Sequence, residues 1–170
     1  MTQNPDDEQA LPQNRVFHKT ITIHAPTSKV WAALTEPALM KLWMAESEIE
    51  ILTDWRVGAP FIIRGNLHKV KFENRGVVLQ FEVERLLKYT HLSSISRLPD
   101  QPENHSIFEF QLTSLGEQTS LALTASNFAT DPIYRHLAFY WNVALGMLKK
   151  LVEEHELRPS YTVVPSAVPE

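Results

Sequence analysis

The sequence predicts an α+β domain in which a curved antiparallel sheet of about six or seven strands wraps around one long carboxyl-terminal helix. Two observations lead to this fold class. Between residues 16 and 126 most segments alternate between apolar and polar residues, as strands do. Between Asp131 and Glu156 apolar residues recur at steps of three and four, as in an amphipathic helix. Strands in direct succession favour an antiparallel meander, which the helix would cover.

Length and composition indicate one ordinary globular domain. The chain has 170 residues, of which 44% are apolar and 21% are charged. A net charge of −4 argues against nucleic-acid binding, and no apolar run is long enough to span a membrane. The absence of cysteine excludes disulfides and thiolate metal sites. The first fifteen residues are polar and acidic, so no secretory signal is expected, and the expected location is cytoplasmic.

Three segments are expected along the chain. Residues 1–15 are predicted to form a flexible tail, residues 16–156 the folded domain, and residues 157–170 a second flexible tail that contains three prolines. The domain begins with a half-buried strand, Val16 to His24. Thr27 or Ser28 is predicted to cap a short helix, and Pro37 to begin a second one.

Strand candidates follow without a long interruption. They are residues 47–53, 60–65, 75–84, 87–97, 106–112 and 121–125, with residues 66–74 ambiguous. The clearest alternation lies in residues 75–84 and predicts that Val77, Leu79, Phe81 and Val83 point inward. Leu115, Gly116 and Glu117 indicate a hairpin turn between the last two strands.

The long helix is the most regular pattern in the chain. Asp131 is predicted to cap it, with Pro132 at the first helical position. Its apolar side is broad, and its central line consists of Leu137, Trp141, Ala144, Leu148 and Leu151. The curved sheet is therefore expected to close around this side.

The order and spacing of several short motifs resemble the helix-grip or START-like superfamily. The closer resemblance is to the family named for the activator of the Hsp90 ATPase (AHSA1-like), over residues 16–154. The matching stretches are Ile23-His24-Ala25-Pro26, Val30-Trp31-Ala32-Ala33-Leu34-Thr35, Pro37 through Leu42-Trp43, Asp54-Trp55-Arg56-Val57-Gly58, Gly76-Val77-Val78, Leu87-Lys88-Tyr89-Thr90, and Gly116 to Ser126 with Phe128.

The resemblance implies a cavity between the sheet and the long helix that accepts apolar or aromatic small molecules. Members of the superfamily include aromatases and cyclases, carriers of lipids or hormones, and proteins that act on Hsp90. The chain departs from many relatives in having Met44, where they have a second tryptophan, beside Trp43. A ligand known for a relative therefore cannot be transferred directly.

Eight apolar residues are candidates for lining this cavity: Trp43, Phe81, Phe108, Phe128, Leu137, Tyr140, Trp141 and Ala144. Large aromatic side chains are usually ordinary core residues, so a purely structural role is the alternative for each. Ala144 would leave space beside the helix, or would allow a strand to approach it.

Tyr89 and His91 are the candidates for chemistry. In the strand that begins at Leu87 they share one side with Ser93 and Ile95, and on a cavity wall they could orient a polar ligand group. The alternative is a bulge that turns His91 to solvent. No metal, phosphate or dinucleotide motif occurs in the sequence, so neither a metal nor a cofactor is expected.

Three functions are compatible with these observations. The first is binding of a small apolar or aromatic molecule. The second is a cyclase-like or aromatase-like reaction on a bound ring or polyketide-like chain, with Tyr89 and His91 as acid–base groups. The third is protein interaction. Hsp90 is not the expected partner, because the family's namesake would have a further amino-terminal domain, and no exposed apolar patch is evident in the sequence. A homodimer is compatible with the sequence.

Overall fold

The structure is a computed structural model that describes residues 14–155. The elements, in chain order, are β1 (Phe17–Ile23), α1 (Thr27–Thr35), α2 (Pro37–Met44), β2 (Ile49–Leu52), β3 (Pro60–Leu67), β4 (Val70–Glu82), β5 (Leu86–Ser93), β6 (Ser106–Leu115), β7 (Gln118–Ser126) and α3 (Asp131–Glu154). The predicted tails lie outside the described residues, except for residues 14 and 15.

One antiparallel sheet contains all seven strands, in the order β1-β7-β6-β5-β4-β3-β2. The first strand thus lies beside the last one, and the strands between them form a meander. Helix α3 packs on the inner face, where Leu145 and Leu148 are fully buried with Leu121 and Leu123 of β7. The predicted fold class is therefore confirmed. No helix within residues 14–155 is long and apolar enough to cross a membrane.

The predicted caps of the helices are wrong. Thr130, not Asp131, is the amino-terminal cap of α3, because its backbone is extended and its Oγ1 accepts a hydrogen bond from the Ile133 amide at 3.3 Å. Asp131 instead pairs with Arg15 at 2.6 Å and with Arg135 at 2.8 Å. Helix α3 ends at Glu154, whereas the predicted end, Glu156, lies outside the described residues.

The two short helices form the predicted corner after β1. Pro37 does begin α2, but neither Thr27 nor Ser28 caps α1, whose cap position is Pro26. The corner is held together because the Trp43 indole donates a hydrogen bond to the Ala33 carbonyl at 2.8 Å. Trp43 is therefore buried in the core, at 5% exposure.

Strand β4 is longer than predicted, and two of the four residues that were predicted to point inward are exposed. The ambiguous residues 66–74 contain the end of β3, a turn at His68 and Lys69, and the first five residues of β4. A β-bulge between Val78 and Gln80 changes the alternation, so Val78 is fully buried and Val77 is 38% exposed. Val83, also predicted to point inward, lies beyond the strand and is exposed.

Strand β5 is shorter than predicted. It ends at Ser93, and Ser94–Ser96 form a single 3₁₀ turn, so Ile95 is exposed instead of sharing the inward side with Tyr89. The predicted hairpin between the last two strands is confirmed. Leu115 pairs with Gln118 across a turn in which Gly116 has a φ of +79°.

Candidate functional site

Four polar side chains lie together on the inner face of the sheet, at the end where α3 begins. Asn74 of β4 is opposite Ser93 of β5, and His91 of β5 is opposite Ser106 of β6. Paired residues share one face of a sheet, as do residues two positions apart along a strand. The four residues Asn74, His91, Ser93 and Ser106 therefore form one continuous patch, called the polar block below.

Contacts with α3 show that the polar block faces the inside of the domain. Tyr89 and its partner Phe108 continue the same face and are 4% and 2% exposed. The Phe108 ring packs edge-on against Trp141 of α3, with centroids 5.2 Å apart. The His91 ring lies 5.1 Å from Phe108. Of the two orientations considered for His91, the structure has the inward one.

One polar atom of the block has no hydrogen-bond partner. The Asn74 Oδ1 atom is shielded from solvent and accepts no hydrogen bond from any residue within the described range. A buried acceptor left without a donor costs about 1–3 kcal/mol. Its strand partner Ser93 accepts a hydrogen bond from the Ile95 amide at 3.3 Å, and the Ser93 hydroxyl forms no hydrogen bond with Asn74 Oδ1. This amide oxygen is thus available to a bound molecule.

His91 is held in its neutral form. Burial lowers its pKa from the usual 6.5 to about 4, and the nearby His105 and His136 oppose a further positive charge. His105 is itself buried and lies 2.6 Å from the Asp100 carboxylate. At neutral pH the His91 ring therefore offers one donor and one acceptor, but no charge.

We expect the domain to lose stability in mild acid because of His91. Between pH 6.5 and 4 the unfolded chain binds a proton at this ring that the native chain does not, so stability is complete above pH 6.5 and is lost as the pH falls. At pH 5 the loss should be about 2 kcal/mol. Urea unfolding at pH 7 and pH 5 measures it.

The control for this expectation is His91→Gln, which keeps a polar side chain and removes the titration. The difference between pH 7 and pH 5 should then shrink by most of that amount. An equal acid sensitivity of the two proteins would show that groups other than His91 are responsible.

Aromatic side chains surround the polar block on one side. Trp141 is at the centre of this group, with ring centroids 5.0 Å from Tyr140, 5.2 Å from Phe108, 5.4 Å from Phe110 and 6.3 Å from Trp43. Four of the predicted lining residues are therefore in one cluster. Phe110, which the prediction omitted, belongs to it as well.

The other predicted lining residues lie in separate places. Phe81 is half-buried between Trp31 and Trp55, at 5.2 and 5.5 Å. Phe128 is fully buried against Tyr134, near the start of α3. Leu137 and Ala144 are buried on the inward side of α3, at 6% and 3% exposure.

The polar atoms of the aromatic cluster differ in how they are satisfied. The Tyr140 hydroxyl donates to the Met44 carbonyl at 2.8 Å, which joins α3 to α2. The Trp141 indole N–H is buried and has no acceptor among residues 14–155. Burial raises the pKa of Tyr89, so its phenol stays protonated at neutral pH. The inner wall therefore offers hydrogen bonds without ionised groups.

A depression of about 690 Å³ opens at the ends of β2, β3 and β4. Its apolar lining consists of Ile49, Gly65 and Phe72, and Lys41 of α2 is at its border. The paired residues Gly65 and Phe72 are one step along the inner face from Ile63 and Asn74. The depression therefore adjoins the polar block and is called the entrance groove below.

Gly65 is needed at this position because of the Phe72 ring. A Cβ atom on Gly65 would lie 2.9 Å from that ring and 3.0 Å from Ile49. The phenylalanine thus lies directly on the β3 backbone, between the entrance groove and Asn74. Neither this groove nor Asn74 was predicted from the sequence. The glycine within a strand was the available signal, since such glycines often mark a close approach.

The described residues show no arrangement suited to a metal ion. No group of three histidine, cysteine, aspartate or glutamate side chains comes together within residues 14–155. What the site offers chemically is therefore hydrogen bonding and aromatic contact from its own side chains.

Comparison with known proteins identifies the family. The family model described as activator of Hsp90 ATPase homolog 1-like protein matches residues 24–153. The solution structure of ChR145 from Cytophaga hutchinsonii is similar to the chain, with 31% identity, a TM-score of 0.71, and coverage of 83% of this chain and 95% of that one. No curated protein matches the sequence.

Two further structures have the same fold. CalU16 from Micromonospora echinospora is 25% identical, with a TM-score of 0.63, over 81% of this chain and 76% of that one. The Aha1 dimer from Colwellia psychrerythraea is 24% identical, with a TM-score of 0.63, over 82% of this chain and 96% of that one. The chain thus belongs to the family of activator of Hsp90 ATPase homolog 1-like proteins, with the α+β helix-grip fold.

Proposed function

We propose that this protein binds one small apolar or aromatic molecule between the sheet and α3, with the polar end of the molecule at the polar block. The observation that carries the proposal is the Asn74 Oδ1 atom, which is buried and has no donor among residues 14–155, on the face that also holds Tyr89 and Phe108. A few placed polar groups on an apolar wall are typical of small-molecule sites. Membership of this family supports a ligand-binding or polyketide cyclase-like role for the fold, without defining the ligand.

The entrance groove supports the same proposal, because it offers a route from the surface to the inner face of the sheet. It reaches the inner face beside Phe72, and charged side chains of both signs surround it: Lys41, Arg64, Lys71, Glu48, Glu50 and Glu73. Such a border keeps the opening hydrated, while the apolar residues within it favour the ring of a ligand. A molecule that passes Phe72 meets Asn74 next along the strand.

Native mass spectrometry of the protein from its own cells, followed by titration with 2-naphthol, tests the proposal. We expect saturable binding of one molecule per chain. Ser93→Leu should abolish it by filling the space beside Asn74, whereas Phe139→Ser, which changes an exposed aromatic of α3, should leave it intact. A protein that carries no small molecule and does not saturate with 2-naphthol would contradict the proposal.

An acid–base reaction is the second candidate. It is favoured by one observation, that Tyr89 and His91 are two positions apart on the face that carries the polar block. Their protonation states restrict it. With a raised pKa the Tyr89 phenol can donate a hydrogen bond but does not ionise at neutral pH, and His91, with a pKa of about 4, is a weak base. Binding is therefore the function with more support.

We also propose that the chain forms a homodimer through the outward side of α3. Contrary to the expectation from the sequence, this side has a row of exposed apolar residues, Phe139, Val143 and Met147, at 71%, 53% and 46% exposure. Their four-residue spacing places them in one stripe. Two antiparallel copies would bring Val143 onto the twofold axis and Phe139 against Met147 of the other copy. The Colwellia relative is described as a dimer.

The same native mass spectra test this assembly. The wild type should show the mass of two chains and Val143→Glu the mass of one, because two carboxylates would meet on the axis. A monomeric wild type at micromolar concentration would contradict the dimer and leave the binding proposal unaffected. An Hsp90 partner is not proposed, since no feature of residues 14–155 indicates it.

A further inference from the structure

From the chemistry of the polar block we infer the class of ligand: an uncharged planar ring compound that carries a hydroxyl group, with the hydroxyl donating its hydrogen to Asn74 Oδ1. This inference rests on the proposed function and deepens it. Three features of the inner face support it, namely the unpaired acceptor, the absence of charge and the arrangement of the aromatic rings.

The unpaired acceptor defines one end of the ligand. Asn74 lies between Ile63 on β3, whose side chain cannot donate, and Ser93 on β5, whose hydroxyl forms no hydrogen bond with Asn74 Oδ1. The Asn74 oxygen therefore requires a donor from a bound molecule to recover the cost of its burial. A ring hydroxyl supplies such a donor, whereas an ether or a hydrocarbon does not.

The four side chains of the polar block carry no charge at neutral pH, and this restricts the rest of the ligand. The block consists of an amide, an imidazole and two hydroxyls, and its neighbours on the same face are Tyr89 and Phe108. The basic side chains on the inner side of the opposite sheet edge are occupied, since Lys19 donates to Asn142 and Arg15 pairs with Asp131. A ligand carboxylate at the block would lose its hydration without gaining a counter-charge.

The aromatic rings favour a flat ligand. Tyr89 and Trp141 both meet Phe108 edge to face, at 5.6 and 5.2 Å, and the His91 ring also lies against Phe108. A planar ring extends this arrangement at the usual centroid distances of about 4.5–7 Å. The buried indole N–H of Trp141 also has no acceptor within the described range, and an oxygen on the ring would satisfy it.

Isothermal titration with three matched probes tests the inference: 2-naphthol, its methyl ether 2-methoxynaphthalene, and the carboxylate 2-naphthoate. We expect the naphthol to bind at least about tenfold more tightly than the ether, which corresponds to one hydrogen bond of about 1.4 kcal/mol. We expect the carboxylate to show no saturable binding. Asn74→Leu should bind the naphthol and the ether equally.

Gln111→Leu is the matched control, because Gln111 is also an amide side chain on a strand of the sheet but is exposed and lines neither the polar block nor the entrance groove. It should keep the preference for the naphthol. Urea unfolding shows whether each variant is folded, and the comparison of the three probes on the wild type stands even where Asn74→Leu does not fold.

Each other outcome overturns a defined part of the inference. Equal saturable binding of naphthol and ether by the wild type would overturn the hydroxyl requirement and leave the proposed function standing. A preference that persists in Asn74→Leu would overturn the assignment to Asn74, and tighter binding of the carboxylate would overturn the uncharged class. If none of the three probes saturates, both the inference and the proposed function are contradicted.

Discussion

Replacement of Gly76 by alanine should destabilise the domain by at least about 4 kcal/mol, a size that single substitutions seldom reach. Gly76 is buried in β4, and its α-carbon faces the backbone of β5. A Cβ atom there would overlap the Thr90 carbonyl oxygen far inside van der Waals contact, and this neighbour is backbone, which cannot rotate away. The β4–β5 pairing would have to separate locally, beside the bulge at Val78. The hydrogen bond that the Val77 amide donates to the Thr90 hydroxyl would be affected as well.

Urea unfolding followed by circular dichroism measures this effect, with Gly146→Ala as the control. Gly146 lies on the exposed side of α3, and an added Cβ atom would meet nothing within 4 Å. Since glycine is about 1 kcal/mol less favourable than alanine inside a helix, the control should be more stable than the wild type. Similar unfolding midpoints for Gly76→Ala and the wild type would show that β4 and β5 are not held this close together.

Replacement of Trp141 by alanine should cost about 3–5 kcal/mol, the range for large aromatic residues in cores. Trp141 is 1% exposed and packs against Phe108 and Phe110 of the sheet, Trp43 of α2, and Tyr140. Removing the indole leaves a space that these rings cannot close without leaving their rotamers. Because its N–H has no acceptor among the described residues, the loss is one of packing and not of a hydrogen bond.

Thermal unfolding with and without free indole measures this loss. Indole should return part of the stability of Trp141→Ala, because a ligand that binds only the native state stabilises it by RT ln(1 + [L]/Kd). Lys150→Ala is the control on the same helix, and its effect should stay within about 0.5 kcal/mol because this side chain is exposed. A Trp141→Ala protein with the stability of the wild type would mean that the aromatic cluster is not the core of the domain.

The residue patterns within single segments were enough to predict the architecture of the domain. The apolar spacing around Leu137, Trp141 and Leu148 predicted α3 to within a few residues, and alternation predicted most of the strands. The errors occurred where neighbouring segments act on each other. Thr130 replaces Asp131 as the cap, and Asp131 is instead paired with Arg15, more than a hundred residues earlier in the chain. A sequence window contains no information on such a partner.

The inward side of β4 is a second example. Strict alternation predicted Val77 and Val83 inside, but the bulge before Gln80 shifts the register of the strand. Because side chains alternate with a period of two, a shift of one residue turns Val77 outward while Phe81 stays inward. The bulge depends on how β5 pairs with β4, and this pairing is a property of two strands together.

The candidate site depends on pairing in the same way. The sequence placed Tyr89, His91 and Ser93 on one side of a strand, because that requires only local alternation. Asn74 and Ser106 join them through the registers of β4 with β5 and of β5 with β6, which pair Asn74 with Ser93 and Ser106 with His91. The close approach of the His91 and Phe108 rings, and the depressed pKa of His91, follow from that packing. Local periodicity thus decides which segments are strands or helices, whereas strand register and helix packing decide which side chains meet and how much water reaches them.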